Sequence, residues 1–321
     1  MTRILILGGT GFVGRCVCER LLAHPVLGAA NVVVPSRRRA RARHLFPLPQ
    51  VDVIEANVHD DAALKHLLPG VDAVVNLVAI LHGSPQAFEH VHVALCQRLA
   101  EACVQAGVRR VVHVSALGVP DDPSAAPSHY LRTKAEGEQA LRVPGLALTV
   151  LRPSVIFGAG DRFLNLFARL QRVLPVLPLA GGQARFQPVW VDDVAEAIVR
   201  CLADATTAGL TYELAGPEVC SLADLVKRAG RWSGHARPVL PLPLAVGRWQ
   251  AAAMALLPGE PLMSADNLDS MRVPNVLTGR HPGLADLGVR PTAMAAVVPA
   301  YLGHWRSWAD RLDAWRSSAR R

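Results

Sequence analysis

Lysine is nearly absent from this sequence, although the chain as a whole is basic. The 321 residues include 34 lysines and arginines against 26 acidic residues, and only Lys65, Lys134 and Lys227 are lysines. The formal net charge of +8 is therefore carried almost entirely by arginine. No helix-turn-helix, zinc-binding or RNA-binding signature accompanies this charge, so we expect no nucleic-acid partner.

Paired cysteines and long apolar runs are missing as well. The six cysteines contain no CxxC spacing, which predicts reduced thiols in a cytoplasmic protein. No run of about 18 apolar residues occurs, so the sequence predicts no membrane-spanning helix. The sequence His90-Val-His92 is a candidate metal-binding pair, but residues two apart on a helix face in different directions. We therefore predict no metal site.

Three glycines at three-residue intervals follow the first apolar stretch of the chain. Residues 4–7 are typical of a buried parallel strand, and residues 15–23 have the periodicity of a helix. Glycines between them allow a tight turn close to a pyrophosphate, and the helix N-terminus offers free N–H groups. A tight turn without a ligand is the alternative. The residues predicted to hold the pyrophosphate are Gly8, Thr10, Gly11, Phe12, Val13 and Gly14.

An acidic residue is lacking where the second predicted strand ends. NAD sites usually carry Asp or Glu at this position to accept from the ribose 2′-hydroxyl, whereas NADP sites use arginine against the 2′-phosphate. Here the chain reads Ser36, Arg37, Arg38, and a guanidinium group suits a phosphate. We predict that NADP(H) is preferred over NAD(H). The alternative is a solvated basic loop in an arginine-rich protein.

Apolar strands alternate with helical segments through the first half of the chain. Strands are predicted at residues 4–7, 31–35, 51–55, 71–77, 109–115 and 146–152, with helices at 15–23, 61–68, 88–106 and 128–141. The alternation predicts an α/β fold with a doubly wound parallel sheet of the Rossmann type. Further cofactor contacts are predicted near the strand ends, at Asn57, Val58, Leu77, Val78, Ala79 and Pro153.

Tyr130 and Lys134 form the sharpest motif outside the glycine turn. A YxxxK spacing puts both side chains on one helical face, one turn apart. An ammonium near a phenol lowers the pKa of the phenol, which helps it to exchange a proton with a carbonyl or hydroxyl group. The lysine can also hydrogen-bond a nicotinamide ribose. The pair is therefore predicted to contact the cofactor and to supply the acid–base chemistry.

With these motifs the sequence resembles the short-chain dehydrogenase/reductase superfamily, in its extended or atypical form. Residues 114–117, 151–158 and 188–194 extend the likeness over nearly the whole chain. The resemblance implies a nicotinamide cofactor and a third catalytic side chain, Ser115, near the substrate oxygen. Members of the superfamily usually place this Ser or Thr slightly farther along, where Ala116 and Leu117 stand here.

A closer likeness points to the nucleotide-binding accessory subunit of mitochondrial complex I and its bacterial relatives. It rests on residues 157–165, 187–189, 262–267 and 271–272. For the mitochondrial subunit the likeness implies tightly held NADPH and a structural role. The bacterial relatives are described as similar to NAD-dependent epimerases and dehydratases.

The chain is expected to contain a nucleotide-binding domain and a smaller lobe for a substrate or partner. The first covers residues 1–155, with 187–205 returning to it, and the second covers 156–186 and 206–321. Asp192 and Asp193 are predicted to cap a helix at 194–202, and Ser221 to cap the next one. The sequence contains no recognisable substrate motif in the smaller lobe.

The end of the chain carries an aromatic stripe at helical spacing. Its members are Tyr301, Trp305, Trp308, Leu312 and Trp315, flanked by arginines. Residues 301–321 are predicted to be either a helix docked on its own domain or a helix that contacts a membrane surface or a respiratory complex. The second case would place a cytoplasmic protein peripherally on the inner face of the membrane.

Two functions from different classes are consistent with these motifs. One is an oxidoreductase in which Tyr130 exchanges the proton and the nicotinamide carries the hydride. The other is a non-catalytic NADPH-binding protein that supports a complex I-type assembly or a ubiquinone pathway. The intact Tyr–Lys pair favours the enzyme, whereas Ala116, Leu117 and the terminal stripe favour the supporting role.

Overall fold

The computed structural model describes residues 2–243, 245–247, 249 and 263–303. The chain divides into two compact units. The first comprises Met1–Pro153, Val191–Ala215 and Leu277–Arg290, and the second comprises Ser154–Trp190, Gly216–Val276 and Pro291–Arg321.

Strands and helices alternate along the described chain. The strands are β1 (Arg3–Leu7), β2 (Asn31–Ser36), β3 (Val51–Glu55), β4 (Ala73–Asn76), β5 (Arg110–Val114), β6 (Ala147–Pro153), β7 (Ile156–Phe157), β8 (Leu177–Ala180), β9 (Arg185–Phe186), β10 (Val189–Trp190), β11 (Thr211–Leu214), β12 (Cys220–Ser221) and β13 (Val239–Leu242). The α-helices are α1 (Phe12–Ala23), α2 (Asp61–Leu67), α3 (Pro85–Phe88), α4 (Leu95–Ala106), α5 (His129–Leu141), α6 (Leu164–Val173), α7 (Val191–Ala203), α8 (Leu222–Ser233), α9 (Ala265–Ser270) and α10 (Met294–Leu302).

A seven-stranded parallel sheet forms the core of the first unit. Its strand order is β11-β6-β5-β4-β1-β2-β3, and all six neighbouring pairs are parallel. The chain winds from β1 to β2 and β3 on one side, then crosses to β4 on the other side of β1. This order confirms the predicted doubly wound α/β fold. It also creates a switch point between β1 and β4, where ligands of such sheets bind beyond the carboxyl ends of the strands.

The six predicted strands are all present, within two residues of their expected ends. The sequence predicts them because strands that are covered by helices on both faces are continuous apolar runs. The seventh strand, β11, pairs with β6 in parallel register. The sequence assigns residues 206–321 to the smaller lobe, but this long-range pairing places β11 in the first unit.

The helix predicted at residues 88–106 has an irregular start. It begins with α3, whose N-cap Ser84 accepts a hydrogen bond from the backbone N–H of Ala87 at 3.2 Å. A π-helical turn over Glu89–Ala94 follows and leads into α4. Such a turn departs from the 3.6-residue period, so the residues in it face directions that periodicity does not predict.

Two predicted caps have different outcomes. Ser221 caps α8 as expected, in a capping box with Asp224. The expectation that Asp192 and Asp193 cap a helix at residue 194 is wrong, because α7 begins at Val191 and both acids lie within its first turn. Carboxylates in the first turn still stabilise the helix, because they lie near the positive end of its dipole. Asp192 also lies 3.5 Å from the Arg20 guanidinium group.

The second unit is built around an aromatic and aliphatic core. Phe157, Phe167, Leu225, Val226 and Val298 are among its buried members. Tyr301 belongs to this core as well, and its hydroxyl donates to Asp161 Oδ2 at 3.0 Å. The first residue of the predicted aromatic stripe is therefore docked within its own unit. The other members of the stripe lie outside the described residues, as do most of residues 244–257, for which the sequence also predicts a helix.

Candidate functional site

The glycine turn after β1 is formed by close backbone contacts. Gly8 has φ of +81°, and a Cβ atom there would lie 3.1 Å from the carbonyl carbon of Leu77. At Gly14 a Cβ atom would lie 2.4 Å from the Cα atom of Gly9. Side chains at either position would therefore push apart the loop after β1, the loop after β4 or the start of α1.

The N-terminus of α1 is open to an anion. The N-cap residue is Gly11, which has no side chain to accept from the first N–H groups, and the first turn contains no acidic residue. The peptide dipoles of the 12-residue helix are aligned, so their positive end lies at this turn. A diphosphate fits such a terminus, so the six residues from Gly8 to Gly14 that the sequence singles out can hold one.

The other predicted cofactor residues lie along the same edge of the sheet. Ser36 ends β2, Asn57 and Val58 follow β3, and Leu77 to Ala79 follow β4. Pro153 ends β6, and its carbonyl oxygen accepts from the Leu117 N–H group at 2.9 Å. Parallel strands bring these carboxyl ends to one edge, which also contains the switch point.

The turn after β2 presents two arginines. The Ser36 hydroxyl donates to the Arg38 carbonyl oxygen at 3.0 Å and accepts from the Arg38 N–H group at 3.4 Å. Ser36 is buried, whereas the side chains of Arg37 and Arg38 are exposed. The serine therefore holds the turn, and the arginines are the groups available to an external phosphate.

A histidine pair that sequence reasoning missed lies next to these arginines. The rings of His59 and His90 stack with centroids 4.6 Å apart. Burial, followed by the positive charges of His90, Arg98 and Arg37, lowers the pKa of His59 to about 4. The guanidinium groups of Arg37 and Arg98 thus lie near a histidine that is neutral at pH 7. No sequence signal pointed to the pair, because its members come from different elements.

Lys134 is fixed at the carboxyl end of β5. Its side chain is only 2% exposed, and Nζ donates to the Val114 carbonyl oxygen at 2.8 Å. Burial lowers the pKa of Lys134, although Cys96 and Glu138 act in the opposite direction. Tyr130 lies one turn earlier on α5 and is half-buried. The helix thus carries the phenol and the ammonium on one face, as the YxxxK spacing predicts.

Ser115 follows Val114 directly and has a buried hydroxyl group without a partner. The residue is 5% exposed, and its Oγ makes no hydrogen bond in the described structure. A buried hydroxyl is costly to leave unpaired, so this one can bond an atom of a substrate or cofactor. Ala116 and Leu117 are buried next to it and have no polar side-chain group. Ser115 is therefore the hydroxyl available at the end of this strand.

His92, in the π-helical turn, packs against Tyr130. The two rings meet edge to face with centroids 5.6 Å apart. The Ile80 N–H group donates to His92 Nε2 at 3.1 Å, so the proton is assigned to Nδ1, which lies 2.9 Å from Thr133 Oγ1. Burial, and then the charge of Lys134, lowers the pKa of His92 to about 3. A neutral histidine thus connects the loop after β4 to the Tyr–Lys helix.

In the described part of the chain, no three His, Cys, Asp or Glu side chains are grouped so that they could hold a metal ion. None of the described helices is both long and apolar enough to cross a membrane.

Comparisons with known proteins agree with this geometry. The model of the NAD dependent epimerase/dehydratase family matches residues 4–215. The mouse mitochondrial protein NADH dehydrogenase [ubiquinone] 1 alpha subcomplex subunit 9 is 33% identical over 295 residues, which cover 90% of this chain and 76% of that protein.

Solved structures share the fold. A dTDP-glucose 4,6-dehydratase from Streptomyces venezuelae, with NAD bound, matches 95% of this chain and 96% of its own at a TM-score of 0.74 and 23% identity. An NADPH-dependent quinone oxidoreductase from Escherichia coli, in complex with NADPH, matches 94% and 99% at a TM-score of 0.73 and 22% identity. At these identities the likeness concerns the fold alone.

Proposed function

The chain belongs to the NAD-dependent epimerase/dehydratase family, and from this premise we propose that it is an oxidoreductase that prefers NADP(H). The glycine turn and the α1 N-terminus would hold the diphosphate, and the loops after β3 and β4 would line the remaining length of the nucleotide. When bound, the nicotinamide supplies or accepts the hydride. The substrate would be a carbonyl compound or the corresponding alcohol.

The observation that carries the catalytic proposal is the anchoring of Lys134 beside a hydroxyl without a partner. Lys134 Nζ bonds the carbonyl oxygen of Val114, and the free Oγ of Ser115 belongs to the next residue. In this proposal Tyr130 gives or takes the proton at the substrate oxygen, and the nearby ammonium favours its phenolate form. Ser115 donates a hydrogen bond to the same oxygen.

Turnover after a single substitution tests this proposal. The purified protein is mixed with NADPH and a panel of aldehydes, ketones and quinones, and loss of NADPH absorbance is followed. We expect Tyr130→Phe to reduce any activity by at least about 10²-fold, within the range of general acid–base catalysis, while NADPH affinity falls far less because the glycine turn and Lys134 are unchanged. Tyr212→Phe, at a buried tyrosine of β11, is the matched control. Equal activity of both variants would contradict the role of Tyr130.

The cofactor preference rests on the turn after β2. It offers two exposed guanidinium groups, and the described residues of this turn, 36–39, include no carboxylate. A charge-assisted contact with a 2′-phosphate favours NADPH by about tenfold or more. Titration of the protein with NADPH and with NADH measures the ratio, and tighter binding of NADH would refute the preference.

A second function is favoured by several relatives that match in sequence. Several are named as NADH dehydrogenase [ubiquinone] subunits, and the mouse protein is 33% identical. Ala116 and Leu117 also leave Ser115 as the only hydroxyl of residues 115–117. In this alternative the protein holds NADPH without turnover and supports a respiratory complex or a ubiquinone pathway, with residues 301–321 as a peripheral contact. NADPH that co-purifies and stays unoxidised with every carbonyl and quinone would support it.

A further inference from the structure

The second unit exposes an apolar surface around its strands β8 and β13. In the parallel register Pro178 lies opposite Leu240, so the two side chains share one face, whereas Leu177 and Leu179 point into the core. Leu240 is 53% exposed, and Val173, just before β8, is 78% exposed. Farther along the same face, Ala180 and Leu242 are covered by Leu268 of α9, so the exposed part of the face is the end that carries Pro178 and Leu240. We define the β8–β13 surface as Val173, Val176, Pro178, Leu240, Val246 and Trp249.

The short segment after β13 continues this surface. Gly247 packs so closely on β8 that a Cβ atom there would lie 2.3 Å from the Cβ atom of Ala180. On either side of it, Val246 is 47% exposed and Trp249 is 80% exposed. Most tryptophan side chains pack in a protein core, and one this exposed is typical of a residue that contacts a partner.

Arginines flank the β8–β13 surface on the side of α6, whereas α9, whose Leu268 packs on Ala180, carries Asp266 and Asp269. Residues 162–191 contain four arginines, and residues 225–259 contain one lysine and four arginines, with no acidic residue in either range. Arg169, Arg172 and Arg237 are exposed. Arg237 Nε donates to the Gln171 carbonyl oxygen at 3.1 Å, which keeps the residues before β13 at the end of α6. The arginines therefore lie next to the apolar side chains.

We propose that the β8–β13 surface binds the surface of an anionic phospholipid membrane. Valine, leucine and tryptophan can enter the boundary between headgroups and acyl chains, while arginines contact lipid phosphates. Pro178 and Pro241 lack N–H donors, so addition of a partner strand at this small sheet is disfavoured. A nucleic acid would contact the arginines through its phosphates but would leave the aliphatic side chains without a partner. The proposal does not depend on cofactor turnover.

Vesicle co-sedimentation of the full-length chain tests the proposal. Vesicles of phosphatidylcholine alone are compared with vesicles that also contain phosphatidylglycerol. We expect binding only to the second kind, and weaker binding as salt increases. Arg169→Gln/Arg172→Gln removes two charges and is expected to weaken binding roughly 30-fold. Val176→Glu/Leu240→Glu places carboxylates in the apolar face and is expected to weaken it at least as much.

Matched controls make the test specific to this surface. Val26→Glu/Leu210→Glu changes two exposed apolar residues of the first unit and is expected to leave vesicle binding unchanged. All variants retain residues 301–321, so persistent binding of both surface variants would assign binding to another region and overturn the proposal. Equal binding to neutral vesicles would do the same, as would variant-sensitive binding to single-stranded RNA in place of vesicles. Unchanged thermal melting and NADPH affinity verify that each variant is folded.

Discussion

At the scale of single residues, the buried ring of His92 joins the loop after β4 to the helix that carries Tyr130. This ring accepts from Ile80 N–H and faces Thr133 Oγ1, so His92→Phe keeps the ring packing but leaves both groups without this partner. We expect a loss of about 2 kcal/mol in the free energy of unfolding, measured with urea. His90→Phe, at an exposed position two residues earlier, should change it by no more than about 0.5 kcal/mol.

The same histidine predicts a dependence of stability on pH. The pKa of His92 is about 3 in the folded protein and near 6.5 in the unfolded chain. Below about pH 6.5 the unfolded chain binds a proton that the folded protein excludes, so the free energy of unfolding decreases as the pH is lowered. Between pH 7 and pH 5 this residue should account for about 2 kcal/mol. His92→Phe should lack that part of the slope in urea unfolding, and an identical slope in both proteins would refute this explanation.

At the scale of elements, a buried ion pair joins α5 to β6 and so fixes the Tyr–Lys helix. Arg152 Nε and Nη2 donate to the two carboxylate oxygens of Glu138 at 3.0 and 2.7 Å, and both side chains are buried. Glu138→Gln would leave the buried guanidinium with only its longer, 3.7 Å contact to the exposed Asp121, at a cost of about 3 kcal/mol in urea unfolding. Glu136→Gln, which affects a looser pair with Arg132 on the same helix, should cost less than about 1 kcal/mol.

The open N-terminus of α1 gives a prediction that separates stability from cofactor binding. Gly11 has extended backbone angles that any residue adopts, and aspartate is a preferred N-cap. Gly11→Asp should therefore leave the unliganded protein within about 1 kcal/mol of the wild-type stability, while its carboxylate repels a diphosphate. NADPH affinity should fall at least about 100-fold, because the site loses an anion-binding terminus and gains a negative charge. Gly11→Asn, without the charge, should retain more affinity than Gly11→Asp.

The elements also show which features a sequence can predict. Strands β1 to β6 were predicted because buried parallel strands are apolar runs, and Ser221 because capping is local. The sheet position of β11 depends on pairing with a distant strand, and the π-helical turn on packing around His92. The resemblance predicted Ser115 itself, but the absence of a partner for its hydroxyl, like the His59–His90 stack, arises only when separate elements meet and follows from no spacing rule.

At the scale of the whole molecule, cofactor preference should be visible as a difference in stability. A ligand that binds only the folded protein adds about 2.7 kcal/mol to the free energy of unfolding at 100 times its Kd. If NADPH binds tenfold more tightly than NADH, equal concentrations should differ by about 1.4 kcal/mol in their stabilising effect. Urea unfolding with each nucleotide present measures this difference.

The source of that difference can be assigned within the basic stretch after β2. Arg37 and Arg38 lie on the turn at the sheet edge, whereas Arg41 and Arg43 are exposed farther along the 3₁₀ helix Arg39–Leu45. Arg37→Ala/Arg38→Ala should abolish the advantage of NADPH over NADH, since the 2′-phosphate loses its specific contacts. Arg41→Ala/Arg43→Ala removes the same net charge and should preserve the advantage. Equal losses in both variants would mean that overall charge, and not the turn, selects the nucleotide.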